Sequence, residues 1–281
     1  MVSKGGAPWL RLLRQIALRL LSVALMIYIV FPVFWLLISS FKYPKELFLV
    51  PPTVVPRQPT LEYFAAVLQD VKFHQALLSS VLVAGFTTLI CLAIGVFGAY
   101  VFAWFRFRGG RGLYLSVLGT QMLPQMILLI PLFVLMRRFG LLYTYQGLIL
   151  AYITFSLPYV IWMFCAFLKS FPKEIEEAGR MDGCTRLASM FRLVLPLSAT
   201  GLVATGIFVF IGAWNEFFMS SVLTNSATKT LPIHIAEYIG EERIAYEMLF
   251  PSSIISAVPV LVMIMFFQKF MVRGLTEGAF K

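Results

Sequence analysis

Groups able to do chemistry are sparse along this chain. Its two histidines, His74 and His234, fall in or beside polar connecting segments. No apolar run carries two carboxylates, the minimum for paired acid–base work. A serine–histidine pair assembled from two connecting loops is the one hydrolytic arrangement left open, and no metal-ligand spacing is present. Cys91, Cys165 and Cys184 are dispersed over two apolar runs and one charged loop, as packing residues rather than a disulfide framework. The stretch from Gly201 to Gly206 has the glycine spacing of a nucleotide phosphate loop. Ile207 and Phe208, however, stand where lysine and a hydroxyl residue are required. No catalytic residue and no bound cofactor is therefore expected.

What remains is a handful of polar groups inside apolar sequence. Gln121 and Gln125 are one helical turn apart and should share a face. In lipid they are costly, so they should point inward, to a water path or to a hydrogen-bonding partner on another helix. Asn215 and Glu216 follow Trp214 near one end of an apolar run. Glu216 is either a pathway group or the wet neighbour of an interfacial tryptophan.

A longer charged stretch spans residues 169–197. Phe171-Pro172-Lys173-Glu174-Ile175-Glu176 predicts a short helix, with Ser170 as its cap and Pro172 in its first turn. Glu174, Glu176 and Glu177 then favour the positive end of that helix. Gly183 predicts a left-handed stop, with Asp182 bonding back to the local backbone. A second helix should follow, capped by Thr185, with Leu187, Met190, Phe191 and Val194 on one face. Helix, glycine turn and helix form a compact surface knob.

The elements that must hold these groups are membrane spans. The chain has 281 residues, 60% hydrophobic and only 13% charged, with mean hydropathy +0.87, too apolar for a soluble domain. Six runs without Asp, Glu, Lys or Arg, 20–41, 73–105, 112–136, 139–168, 193–215 and 248–268, each reach the ~20 residues that cross a hydrocarbon core. The expected fold is all-α and polytopic, with six transmembrane helices and both termini cytoplasmic. In that orientation the inner segments hold 15 basic and five acidic residues and the outer ones eight of each. The whole formal excess of +10 thus lies on one side. The basicity is topology, and nucleic acid is not an expected partner. The first run is too long for a cleaved secretory core and has no small-x-small cleavage pattern. Between residues 42 and 75 lies a proline-rich outer segment, with an amphipathic helix expected over 60–68.

The charged stretch resembles the EAA loop of ABC importer permeases, of the form Glu-Ala-Ala, two residues, Asp-Gly, nine residues, Ile-x-Leu-Pro. Glu177, Ala178, Asp182, Gly183, Leu195 and Pro196 match in place; Gly179 replaces the second alanine and Leu193 the isoleucine. Thr200 stands where the family often has a further proline. The resemblance implies a type I ABC importer permease fold: an N-terminal segment of 1–72, a permease core of 73–271 and a cytoplasmic tail of 272–281. It further implies that the loop docks on a separate ATPase. Trp214-Asn215-Glu216 and the tail resemble the carbohydrate branch (maltose-type, MalG-like) in particular. Partners implied by the resemblance are a sister permease forming a heterodimer, an ATPase dimer carrying ATP and Mg, an extracytoplasmic solute-binding protein and the lipid bilayer. The location implied is the cytoplasmic (inner) membrane of a bacterium or archaeon. The competing reading is an ion-coupled secondary transporter.

Overall fold

The computed structural model describes residues 8–279. By its internal contacts the chain divides into two units, one of residues up to 69 with 238–255, the other of 70–237 with the residues from 256 onward. Among the described residues there is no strand, only an isolated bridge between Ile239 and Ile244.

The first unit contains α1 (Pro8–Ser39), α2 (Pro44–Leu47), α3 (Glu62–Gln69) and the start of α14 (Tyr246–Ala279). The amphipathic helix expected over 60–68 is α3. The proline-rich segment is pinned by charge. Glu46 is buried and accepts from Thr53 Oγ1 at 2.7 Å and from the Arg57 amide at 2.8 Å. Lys42, also buried, donates to the Thr53 carbonyl, and its ammonium lies 4.8 Å from the centre of the Trp35 ring. Hydrogen-bonded pairing of this kind is what allows charges to leave water.

The second unit is built on α4 (Val71–Trp104), α7 (Tyr145–Ser170) and α11 (Ala199–Trp214). No hydrophobic effect drives helices together in lipid, so close packing must do so. A Cβ on Gly95 would fall 2.5 Å from Val160 Cγ1, and one on Gly201 2.3 Å from the Phe167 ring. Only glycine permits either approach. Around these contacts Val96, Ala99, Tyr100, Phe164, Phe167 and Leu168 form a dry core.

Among the described residues four helices are long and apolar enough to cross a membrane, or up to six spans if each of two bent helix pairs is counted as one. Six is the number expected from the apolar runs. The third span is α5 (Gly110–Gly119) with a 3-10 turn, Thr120–Met122, followed by α6 (Gln125–Arg138), and it is bent by 96°. Pro124 is the cause: Leu123 before it is extended, with φ −75° and ψ 126°, as the ring of a following proline requires. The second bent pair turns by 78° where the segment Arg186–Leu197 leads into α11. There Pro196 has no amide to bond the carbonyl four residues back. Beyond Trp214 the helix α11 breaks before α12 (Phe218–Leu223). In the tail, α14 runs to Ala279, while Phe280 and Lys281 lie outside the described residues.

Candidate functional site

The surface knob consists of α8 (Glu174–Met181), α9 (Arg186–Ser189), a π turn over Met190–Val194 and α10 (Leu195–Leu197). Ser170 does not cap α8. Its hydroxyl donates to the Phe167 carbonyl at 2.6 Å, ending α7, and Lys173 takes the position before α8. Glu174, Glu176 and Glu177 occupy the first turn, and Glu177 pairs with Lys173 at 3.2 Å. Gly183 has φ +88°. The Cys184 amide reaches the Gly179 carbonyl at 3.0 Å and the Gly183 amide the Arg180 carbonyl at 3.1 Å. These are the two bonds of a Schellman termination. The next helix starts where Thr185 Oγ1 accepts from the Ala188 amide at 3.2 Å.

The two halves of the motif interlock. A Cβ on Gly179 would lie 2.3 Å from Leu193 Cδ1 and 3.2 Å from Ser189 Oγ. Met190 and Val194 are buried in the core beside Tyr100 and Phe164. Leu187 and Phe191, expected on that same face, instead point outward, at 59% and 54% exposure. The buried stripe runs instead through Ser189, Met190 and Val194, and the π turn over Met190–Val194 departs from the 3.6-residue register beyond Ser189. Ala178, Asp182 and Met181, the last at 88% exposure, are also open.

Sequence reasoning missed one member of the knob. Glu176 is 3% exposed, and its Oε1 accepts from the Tyr100 hydroxyl at 3.0 Å. The signal was its place three residues before Gly179, hence on the face that makes the close approach. Nearby, the Arg186 guanidinium stacks 4.6 Å above the centre of the Phe105 ring, an arrangement that attracts through the ring quadrupole.

Gln121, Gln125, Asn215 and Glu216 all line one cavity of about 410 Å³. Gln121 and Gln125 do not share a helical face, because the chain breaks between them at Pro124; it is the bend that brings both to the cavity. Gln121 Nε2 donates to the Phe155 carbonyl at 2.8 Å and so ties the bent span to α7. Asn215 bonds back to the Ile211 carbonyl at 3.0 Å. Glu216 caps α12, its two oxygens accepting from the Met219 amide at 2.8 Å and the Ser220 amide at 3.1 Å. A carboxylate there satisfies orphan donors and suits the positive helix end. The buried Tyr152 hydroxyl faces Glu216 and Ser220 without meeting hydrogen-bond geometry to any described group. Tyr159, Phe155, Phe208, Phe217 and Phe218 supply aromatic walls. Aromatic faces with a few amide and carboxylate groups suit a solute with apolar C–H surfaces and many hydroxyls.

The histidines serve the scaffold. His74 Nδ1 is 2.9 Å from the Asp70 carbonyl. His234 lies in α13 (Leu231–Ala236), 3.5 Å from Asp70 and 3.4 Å from Glu237. Among the described residues no group of His, Cys, Asp and Glu could hold a metal ion.

A helical, multi-span chain with a surface knob and a polar, aromatic cavity defines a membrane transport subunit. Residues 92–277 match the family described as binding-protein-dependent transport system inner membrane component, and the chain belongs to it. It is 37% identical over 253 residues to the sulfoquinovosyl glycerol transport system permease protein SmoH of Agrobacterium fabrum, covering 89% of this chain and 88% of that one. It is 33% identical over 273 residues to the trehalose/maltose transport system permease protein MalG of Thermococcus litoralis, covering 96% and 98%. Its fold matches a chain of a bacterial ABC transporter involved in alginate import, with TM-score 0.78 and 21% identity over 95% of this chain and 99% of that one. A chain of the MetNI methionine ABC transporter matches with TM-score 0.57 and 19% identity, over 72% and 94%. The protein is thus a multi-pass inner-membrane permease of the ABC importer type, not an ion-coupled secondary transporter.

Proposed function

We propose that this permease carries a sugar or related polyhydroxylated solute inward, driven by ATP hydrolysed with Mg on a separate ATPase dimer. A sister permease completes the pathway, and an extracytoplasmic binding protein delivers the solute. The observation that carries this reading is the knob. Its internal face is locked by Gly179 against Leu193 and by Glu176 against Tyr100, while Ala178, Met181 and Asp182 are left open for a partner. A rigid knob whose base enters the core between α4 and α7 moves with those spans. It can therefore convert closure of an ATPase into alternating access. The cavity supports the solute class, as do the solutes for which the relatives are named, sulfoquinovosyl glycerol and trehalose/maltose.

Affinity purification of the tagged chain from its own membranes in mild detergent tests the assembly. Co-purification of an ATPase and a second multi-span permease is expected, with a binding protein that takes up a sugar. Recovery of this chain alone or as a homodimer, under conditions that keep other complexes whole, would overturn it.

A further inference from the structure

Beside the knob, the turn that follows α4 and the last turn of α7 enclose a second polar cavity, of about 310 Å³. Its charged lining consists of Arg106, Arg111 and Lys169, with no carboxylate. None of the three belongs to an ion pair among the described residues. Three cations converging on one concavity repel each other unless an anion joins them. The walls are aromatic. Lys169 lies 5.2 Å from the centre of the Tyr114 ring. Gly109, at φ +82°, turns the chain so that the Phe107 ring folds onto Gly110, where a Cβ would be only 3.0 Å from it.

The cavity opens where a 34-residue apolar span ends, the level at which aromatic rings and basic residues meet lipid headgroups. Guanidinium forks match phosphate oxygens, and the ammonium adds a point charge. From charge, shape and depth together, we infer that this cavity binds the phosphate of an anionic phospholipid. Arg106 and Arg111 grip the phosphate oxygens, Lys169 adds its charge, and Phe107 and Tyr114 pack on the glycerol end. Phe105 lines the same cavity and carries Arg186 of the knob on its ring, so the bound headgroup sits next to the coupling surface.

Native mass spectrometry of the purified, delipidated complex tests this, with 1-palmitoyl-2-oleoyl phosphatidylglycerol or phosphatidylcholine added back. The wild type should retain at least one more phosphatidylglycerol than R106Q/R111Q/K169Q, and equal phosphatidylcholine. K169Q alone should weaken phosphatidylglycerol binding about fivefold, since one basic residue near a membrane surface is worth ~1 kcal/mol. R137Q/R138Q, at the far end of α6, should keep the wild-type count. Equal phosphatidylglycerol counts in wild type and triple variant overturn the assignment. Displacement of the lipid by excess inorganic phosphate also overturns it, assigning the site to the free ion.

Discussion

Leu193 Cδ1 fills the space in which Gly179 would carry a Cβ, 2.3 Å from that position. Fourteen residues apart in sequence, the two close the knob on itself. The clashing atom is the tip of a flexible side chain, so Gly179→Ala should keep most uptake, whereas Gly179→Val should not. Overpacking of this kind costs ~1–3 kcal/mol, and Leu193→Ala should partly restore the valine variant. Gly183→Val forces a β-branched residue to φ +88° and should uncouple hydrolysis from uptake while leaving membrane insertion intact. The measurement is solute transported per ATP hydrolysed in proteoliposomes. Normal ratios in both valine variants would contradict the interlock.

The bond from Tyr100 to Glu176 ties α8 to the end of α4. Tyr100→Phe leaves a buried carboxylate without its donor, a loss of ~1–3 kcal/mol. Glu176→Gln keeps an acceptor for the tyrosine and should be milder. A double-mutant cycle on thermal stability should show the two positions to be non-additive. Additive losses would mean that the bond contributes nothing.

Glu216 holds the start of α12 through the Met219 and Ser220 amides. Replacing it by Ala strips two amides of α12 of their acceptor, whereas Gln retains one oxygen. Melting of the purified complex should therefore fall more for Glu216→Ala than for Glu216→Gln, by ~1 kcal/mol or more. Equal stability with equal loss of uptake would instead make the carboxylate a solute contact.

Acid should loosen the proline-rich segment through Glu46. Burial raises its pKa, but the Thr53 hydroxyl, the Arg57 amide and the Lys42 charge outweigh it and leave it below the ordinary carboxylate value. A depressed pKa gives stability that is complete above the unfolded value of 4.5 and is lost as pH falls through the lower folded value. The difference in melting temperature between wild type and Glu46→Gln should thus hold steady near neutrality and shrink below pH 4.5. A difference independent of pH across that window would exclude the linkage.

Much of this was legible because the signals were local. The left-handed stop at Gly183 and the Thr185 cap follow from side-chain chemistry within a few residues, and the apolar runs locate the spans. The bends were harder. Gln121 and Gln125 have the spacing of one helical face, but Pro124 between them overrides periodicity and brings them together by another route. Leu187 and Phe191 share an expected face with Met190 and Val194, yet only the latter two are buried; apolar character alone does not say which edge of that face packs. Glu176 reads as one of three carboxylates favouring the positive end of a helix. Its burial depends on Tyr100, 76 residues away, and no local pattern names that partner.

The central claim is that the open face of the knob meets an ATPase. A photoreactive residue at Met181, 88% exposed on that face, tests it in native membranes, with Phe139, 68% exposed beyond the far end of α6, as the control. Crosslinking of an ATP-hydrolysing chain from Met181 but not from Phe139 is the predicted result. Crosslinking from neither position, in membranes where uptake is intact, would contradict the account.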